Sequence, residues 1–136
     1  MIAALILVTS LAALLQFFVS YCRSLIAACA KEELSVQARE VAGISGHSVS
    51  GDEFQKLAVL VRLCPDPGAD RNRMRAVGLY FRMMNMLRES GNRVAPTVAA
   101  WAERERQACA YFAAVVLDHR IAHSRDLMAR QSSINL

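Results

Sequence analysis

The chain has 136 residues, of which 54% are hydrophobic, and a net charge of +4. Beyond an apolar leader this leaves about one small domain, too little for most two-domain enzymes, and the mild positive balance falls far short of a nucleic-acid-binding arm. Mean hydropathy is +0.24, yet no charged residue precedes Arg23, which is the pattern of a membrane anchor carrying a soluble part.

The uncharged N-terminal run would form a helix of about 33 Å at 1.5 Å per residue, matching a hydrocarbon core of about 30 Å. A transmembrane span over about residues 2–22 is therefore expected, continuing as helix to about residue 42. Two processing signals compete with it. Ala28-Cys29-Ala30 has the form of an A-x-A cleavage site, and Ile26-Ala27-Ala28-Cys29 resembles a lipobox, which would make the chain an exported lipoprotein lipidated at Cys29. Arg23 lies between the apolar run and either site, and a positive n-region is missing, so a retained span is the expectation. Arg23, Lys31 and Arg39 follow the span. Positive-inside counting then puts the N-terminus outside and the C-terminal part in the cytoplasm, with the cell (inner) membrane as the location.

Within the span, Thr9, Ala13, Gln16 and Ser20 recur at helical steps and form one small, polar stripe. Small residues let helix backbones approach closely, and Gln16 can hydrogen-bond across the contact, so the stripe is a candidate seat for other transmembrane protein helices. A homo-oligomer stays open. The span contains no His, Asp, Glu, Lys or Arg, which argues against a proton path or a histidine-ligated haem within it.

The glycines and serines of residues 43–50 read as a linker, followed by a helical bundle over 51–130 and a fraying tail over 131–136. Ser50 and Glu53 have capping-box spacing, and Phe54, Leu57, Ala58 and Val61 supply an apolar face, which predicts a helix over 51–64 stopped by Pro65-Asp66-Pro67-Gly68. Ser50-Gly51-Asp52-Glu53-Phe54 resembles the diguanylate cyclase signature. In that family the motif lies on a hairpin between strands, whereas here a cap and an amphipathic helix account for the letters.

The next helix is expected over 69–90, with Arg71, Arg75, Gly78, Arg82, Asn85 and Glu89 on one wet stripe and Met74, Val77, Leu79, Tyr80 and Phe81 among the apolar positions around it. Arg71, Arg75 and Arg82 could meet membrane lipids at their headgroups. Met83, Met84 and Met86 could form an adaptable docking surface, although core filling is the commoner use of methionine. Ser90-Gly91-Asn92 suggests a stop. Pro96 opens a last helix to about residue 130, whose ten-residue apolar run Ala108–Leu117 is too short to cross a bilayer and suits burial in a bundle.

Chemistry is sparse. His119 and His123, four apart on one helix, could share a metal if Cys109 or Asp126 joined them, which gives the alternative of a small metal- or redox-binding helical protein. A solvated polar helix end explains the same residues. The cysteines, Cys22, Cys29, Cys64 and Cys109, show no zinc-like or C-x-x-C spacing and read as reduced thiols, with two disulfides left open. No phosphate loop, haem attachment motif or nucleophile elbow occurs.

Together these features predict an all-α chain: a single N-terminal transmembrane helix, its continuation, and a small three-helix bundle. The expected role is a non-catalytic accessory, scaffolding or regulatory subunit of a larger membrane protein complex. No cofactor and no nucleic-acid partner are expected.

Overall fold

The computed structural model describes residues 1–30, 50–64 and 70–134. Among them the chain is all α, with no strand and four helices: α1 (Ile2–Cys29), α2 (Gly51–Leu63), α3 (Asp70–Val94) and α4 (Pro96–Ile134). The expected continuation of α1 to residue 42, the linker up to residue 49 and the Pro65–Gly68 stop lie outside the described residues.

Each helix begins or ends where local chemistry requires it. Ser50 caps α2: its Oγ accepts from the Glu53 N–H at 3.3 Å, and the Glu53 carboxylate accepts from the Ser50 N–H at 2.9 Å. Two of the backbone donors that a helix start leaves open are thereby satisfied. The Ser50–Phe54 letters thus sit on a helix start and not on a hairpin. At the other end Cys64 turns extended, with ψ of 144°, as a residue preceding proline must.

Two helices outrun their expected ends. Helix α3 passes through Ser90-Gly91-Asn92 and stops at Val94. The turn into α4 is Ala95 alone: its N–H donates to the Gly91 carbonyl at 2.7 Å, and its own carbonyl accepts from Val98 and Ala99. Pro96 holds the first position of α4, where a missing N–H costs nothing. Gly91 serves close approach instead of termination, since a Cβ there would lie 3.4 Å from the Ala99 backbone nitrogen. Helix α4 continues to Ile134 where fraying was expected after residue 130, because no glycine or proline interrupts the sequence and the hydroxyls of Ser132 and Ser133 fold back onto carbonyls three residues earlier.

The core is built around α4, which packs against all three other helices. Its apolar run is buried almost throughout, from Cys109 and Ala110 through Phe112 to Leu117. Helix α2 offers Phe54, Leu57 and Val61, spaced by three and four, and α3 offers Met74, Val77, Phe81 and Met84. The rings of Phe54 and Phe81 stack at 4.0 Å and 8° and join these two helices, which otherwise touch little.

Helix α1 adds a fourth wall to the expected three-helix bundle. Cys22 and Ile26 are buried in the common core, with Phe18, Val19, Leu25 and Cys29 packed around them. From Met1 to Phe17 every residue is exposed. One helix thus has two halves, one covered by the fold and one left uncovered.

Replacing Phe81 by alanine removes both the stack on Phe54 and the surface beneath Arg106, and should cost about 3–5 kcal/mol. Leu79→Ala, on an exposed position of the same helix, should change stability by about 0.5 kcal/mol or less. Denaturant unfolding of the detergent-solubilised chain measures both.

Candidate interaction site: the helix junction and its flanking surfaces

The residues that fasten α1 to the bundle lie on one face. Taking Cys22 as the reference, Phe18, Val19, Leu25, Ile26 and Cys29 all fall within roughly 60° around the helix axis. The Cys22 thiol donates to the Ala76 carbonyl on α3 at 3.8 Å, and the Phe18 ring meets Tyr80 edge to face at 6.4 Å. Deeper along α1, Cys29 packs against Ala114 and Val115 of α4.

Polar groups close the junction. The Tyr80 hydroxyl donates to Glu105 Oε2 on α4 at 2.7 Å, and Glu105 Oε1 lies 3.7 Å from Arg23 Nε on α1. Three helices meet at this one carboxylate. Burial, reinforced by the hydrogen bond to Glu105, pushes the Tyr80 hydroxyl well above its ordinary value. Burial likewise pushes the Cys109 thiol upward, so it stays protonated and is a poor nucleophile and metal ligand.

The small, polar stripe of the N-terminal run lies on the opposite side. Thr9, Ala13, Gln16 and Ser20 sit roughly 120–180° from Cys22 around α1, and all four are exposed. The Thr9 hydroxyl is already satisfied by the Leu5 and Ile6 carbonyls at 3.0 Å. Gln16 makes no hydrogen bond among the described residues.

The three methionines do not share a surface. Met84 is 1% exposed and belongs to the core, Met83 is half-buried against it, and Met86 is 69% exposed on the other side of α3. Only Met86 borders the groove between α2 and α3, together with exposed Leu79 and Val59.

The arginines fall into two groups. Arg71 and Arg75 line a cavity with Arg62 and Arg120, whereas Arg82 borders the α2–α3 groove. Along α3, Arg71 and Arg75 lie beyond the Ala76–Cys22 contact, away from the free half of α1. Composition alone did not mark two buried arginines on α4. Arg106 is 2% exposed; its Nη1 donates to Glu103 Oε2 at 2.7 Å, and its guanidinium lies 5.0 Å over the Phe81 ring. Arg88 donates to the same oxygen at 2.9 Å. Arg120, 4% exposed, donates from Nη1 to the Val61 carbonyl at 2.5 Å and so caps the end of α2.

His119 and His123 are exposed on α4. Cys109 lies about 15 Å along the helix from His119 at 1.5 Å per residue, buried toward α1 and α3, so the fold does not bring it to the histidines. Among the described residues no three histidine, cysteine or acidic side chains gather as a metal-ligating group.

Because the Tyr80 and Cys109 shifts run upward, the folded chain holds these protons more tightly than the unfolded one. The stability they contribute is fully present below the ordinary values and is lost as pH rises past about 9 for Cys109 and about 10 for Tyr80. The melting temperature of the solubilised chain should therefore fall progressively in this alkaline range. Tyr80→Phe should make that fall shallower while lowering the melting temperature at neutral pH through loss of the Glu105 bond. Comparison with protein-family models, with curated proteins and with solved structures finds no match to this chain.

Proposed function

We propose that this chain is a non-catalytic single-pass membrane protein whose helical domain rests against the cytoplasmic face and which serves as an accessory or scaffolding subunit of a membrane protein complex. The observation that carries this reading is the division of α1. Its first half, apolar and exposed at every residue, has no cover in the fold, while its second half is a structural wall of the bundle. Among the described residues it is the helix long and apolar enough to cross a membrane.

Dimensions support an arrangement in which domain and bilayer touch. Residues 2–17 extend about 24 Å at 1.5 Å per residue, less than the roughly 30 Å of hydrocarbon to be crossed. A span must therefore include residues up to about Tyr21, bringing the Phe18–Tyr80 contact into the interfacial layer. Phe17, Phe18 and Tyr21 are suited to that depth, and Arg23 beside Glu105 marks the water side. The bundle then lies on the side to which Arg23 belongs, which positive-inside counting makes cytoplasmic.

Retention of the N-terminal segment has the same physical basis. Cleavage before Cys29 or after Ala30 would remove Cys22 and Ile26 from the core and expose the faces of Ala76, Tyr80 and Cys109 that they cover. Intact mass of the membrane-extracted protein should therefore include residues 1–28, and a form beginning at a lipidated Cys29 would overturn the reading.

The stripe opposite the bundle face is the surface left for a partner helix. Gln16 in hydrocarbon needs a hydrogen-bond partner, and Ala13 permits the approach that would supply one. Changing Ala13 and Gln16 together to leucine should sharply reduce recovery of partner subunits when native membranes are gently solubilised and the chain is purified. An unchanged set of co-purifying proteins would remove the stripe from the model of assembly. A topology reporter fused after Ile134 should be active only on the cytoplasmic side.

A further inference from the structure

The charges on α2, α3 and α4 converge at the end of the bundle remote from the free half of α1. A cavity of about 550 Å³ lies between these helices, lined by Arg62, Arg71, Arg75 and Arg120 over an apolar floor of Ala58, Val61 and Met74. Its volume is in the range of small-molecule sites. None of the described residues lining it is acidic.

The arginines differ in role. Arg120 is buried and held by the Val61 carbonyl, which orients its guanidinium at the base of the cavity without requiring a ligand to order it. Arg62 and Arg75 are exposed at the rim and make no ion pair among the described residues. Arg71 lies in the first turn of α3, whose backbone N–H groups add positive potential on the same side. Guanidinium groups have a planar donor fork that matches phosphate oxygens, and a lysine-free set of four favours such an oxyanion over a simple chloride.

We propose that the cavity between α2, α3 and α4 is a binding site for a phosphate group, with Arg62 and Arg75 closing on an anion that Arg120 and Arg71 receive. The apolar floor accommodates the carbon skeleton of a phosphorylated small molecule. Two sources offer this chemistry, a soluble phosphorylated metabolite and a phospholipid headgroup. Along α4, Arg120 lies about 22 Å beyond Glu105, and Glu105 stands level with Arg23, so the position favours the soluble source.

The test uses the full chain in neutral phosphatidylcholine nanodiscs, titrated calorimetrically with inorganic phosphate and with pyrophosphate at constant ionic strength. Saturable binding with one site per chain is expected, weakened about tenfold by Arg62→Gln and by Arg75→Gln and unchanged by Arg93→Gln at the distant α3–α4 turn. The two rim residues are exposed, so these variants should melt like the parent. Absence of saturable binding by either anion, or equal weakening by Arg93→Gln, would overturn the site. Added vesicles containing phosphatidic acid distinguish the sources: competition with pyrophosphate supports the site as a headgroup receptor, and its absence supports the site with a soluble ligand.

Discussion

The apolar run at the centre of α4 has no polar side around its circumference, and the fold follows from the need to cover it everywhere. A helix of this kind cannot sit on a bundle surface. Helices α2 and α3 cover one part of it, the second half of α1 covers another, and the contact of α2 with α3 is reduced to little more than the Phe54–Phe81 stack. Arg106 and Arg120 stand at the two ends of the run. Each is desolvated, and each is accommodated because a specific acceptor is aimed at it: Glu103, one turn earlier on α4, in one case, and the last turn of α2 in the other. An uncompensated charge at either position would be strongly destabilising.

The same constraint explains why the N-terminal helix is more than a tether. A flexible N-terminal segment would leave the domain free to reorient relative to it. Here Cys22 and Ile26 are inside the core, and the Tyr80–Glu105–Arg23 cluster joins three helices at one carboxylate. Any force on the free half of α1 is therefore transmitted to α3 and α4 through packed side chains. Under the proposed role, such rigidity would set the angle at which the helical domain is presented to a partner.

The chemistry of the surfaces divides accordingly. Near the free half of α1 lie aromatic and small residues that suit lipid and helix contacts, whereas the arginine-lined cavity lies at the other end. Among the described residues the nucleophilic and metal-binding side chains are dispersed: the Cys109 thiol is buried in the core with its pKa pushed up, and His119 and His123 are exposed.

Much of the architecture was legible in the sequence because it depends on neighbours along the chain. The capping box at Ser50 and Glu53, the effect of Pro65 on Cys64, the entry of Pro96 and the buried character of residues 108–117 are all local. So is the wet stripe of α3, which emerges as exposed or half-exposed at Arg71, Arg75, Gly78, Arg82, Asn85 and Glu89. Gly91 misled because its role is set by a backbone across the turn and not by its own helix. Leu79 and Met86 misled because the sequence shows which residues are apolar but not which gaps between helices remain open.

What only the tertiary structure decided is the pairing of distant positions. That Cys22 faces Ala76, that Glu105 receives both Tyr80 and Arg23, that Arg120 reaches Val61, and that Arg62 and Arg75 line one cavity from different helices all depend on inter-helix register. Periodicity along one helix carries no information about it. The apolar start of the chain by itself determined a helix long and apolar enough to cross a membrane; the folded structure decided that protein covers its second half and leaves the first half exposed.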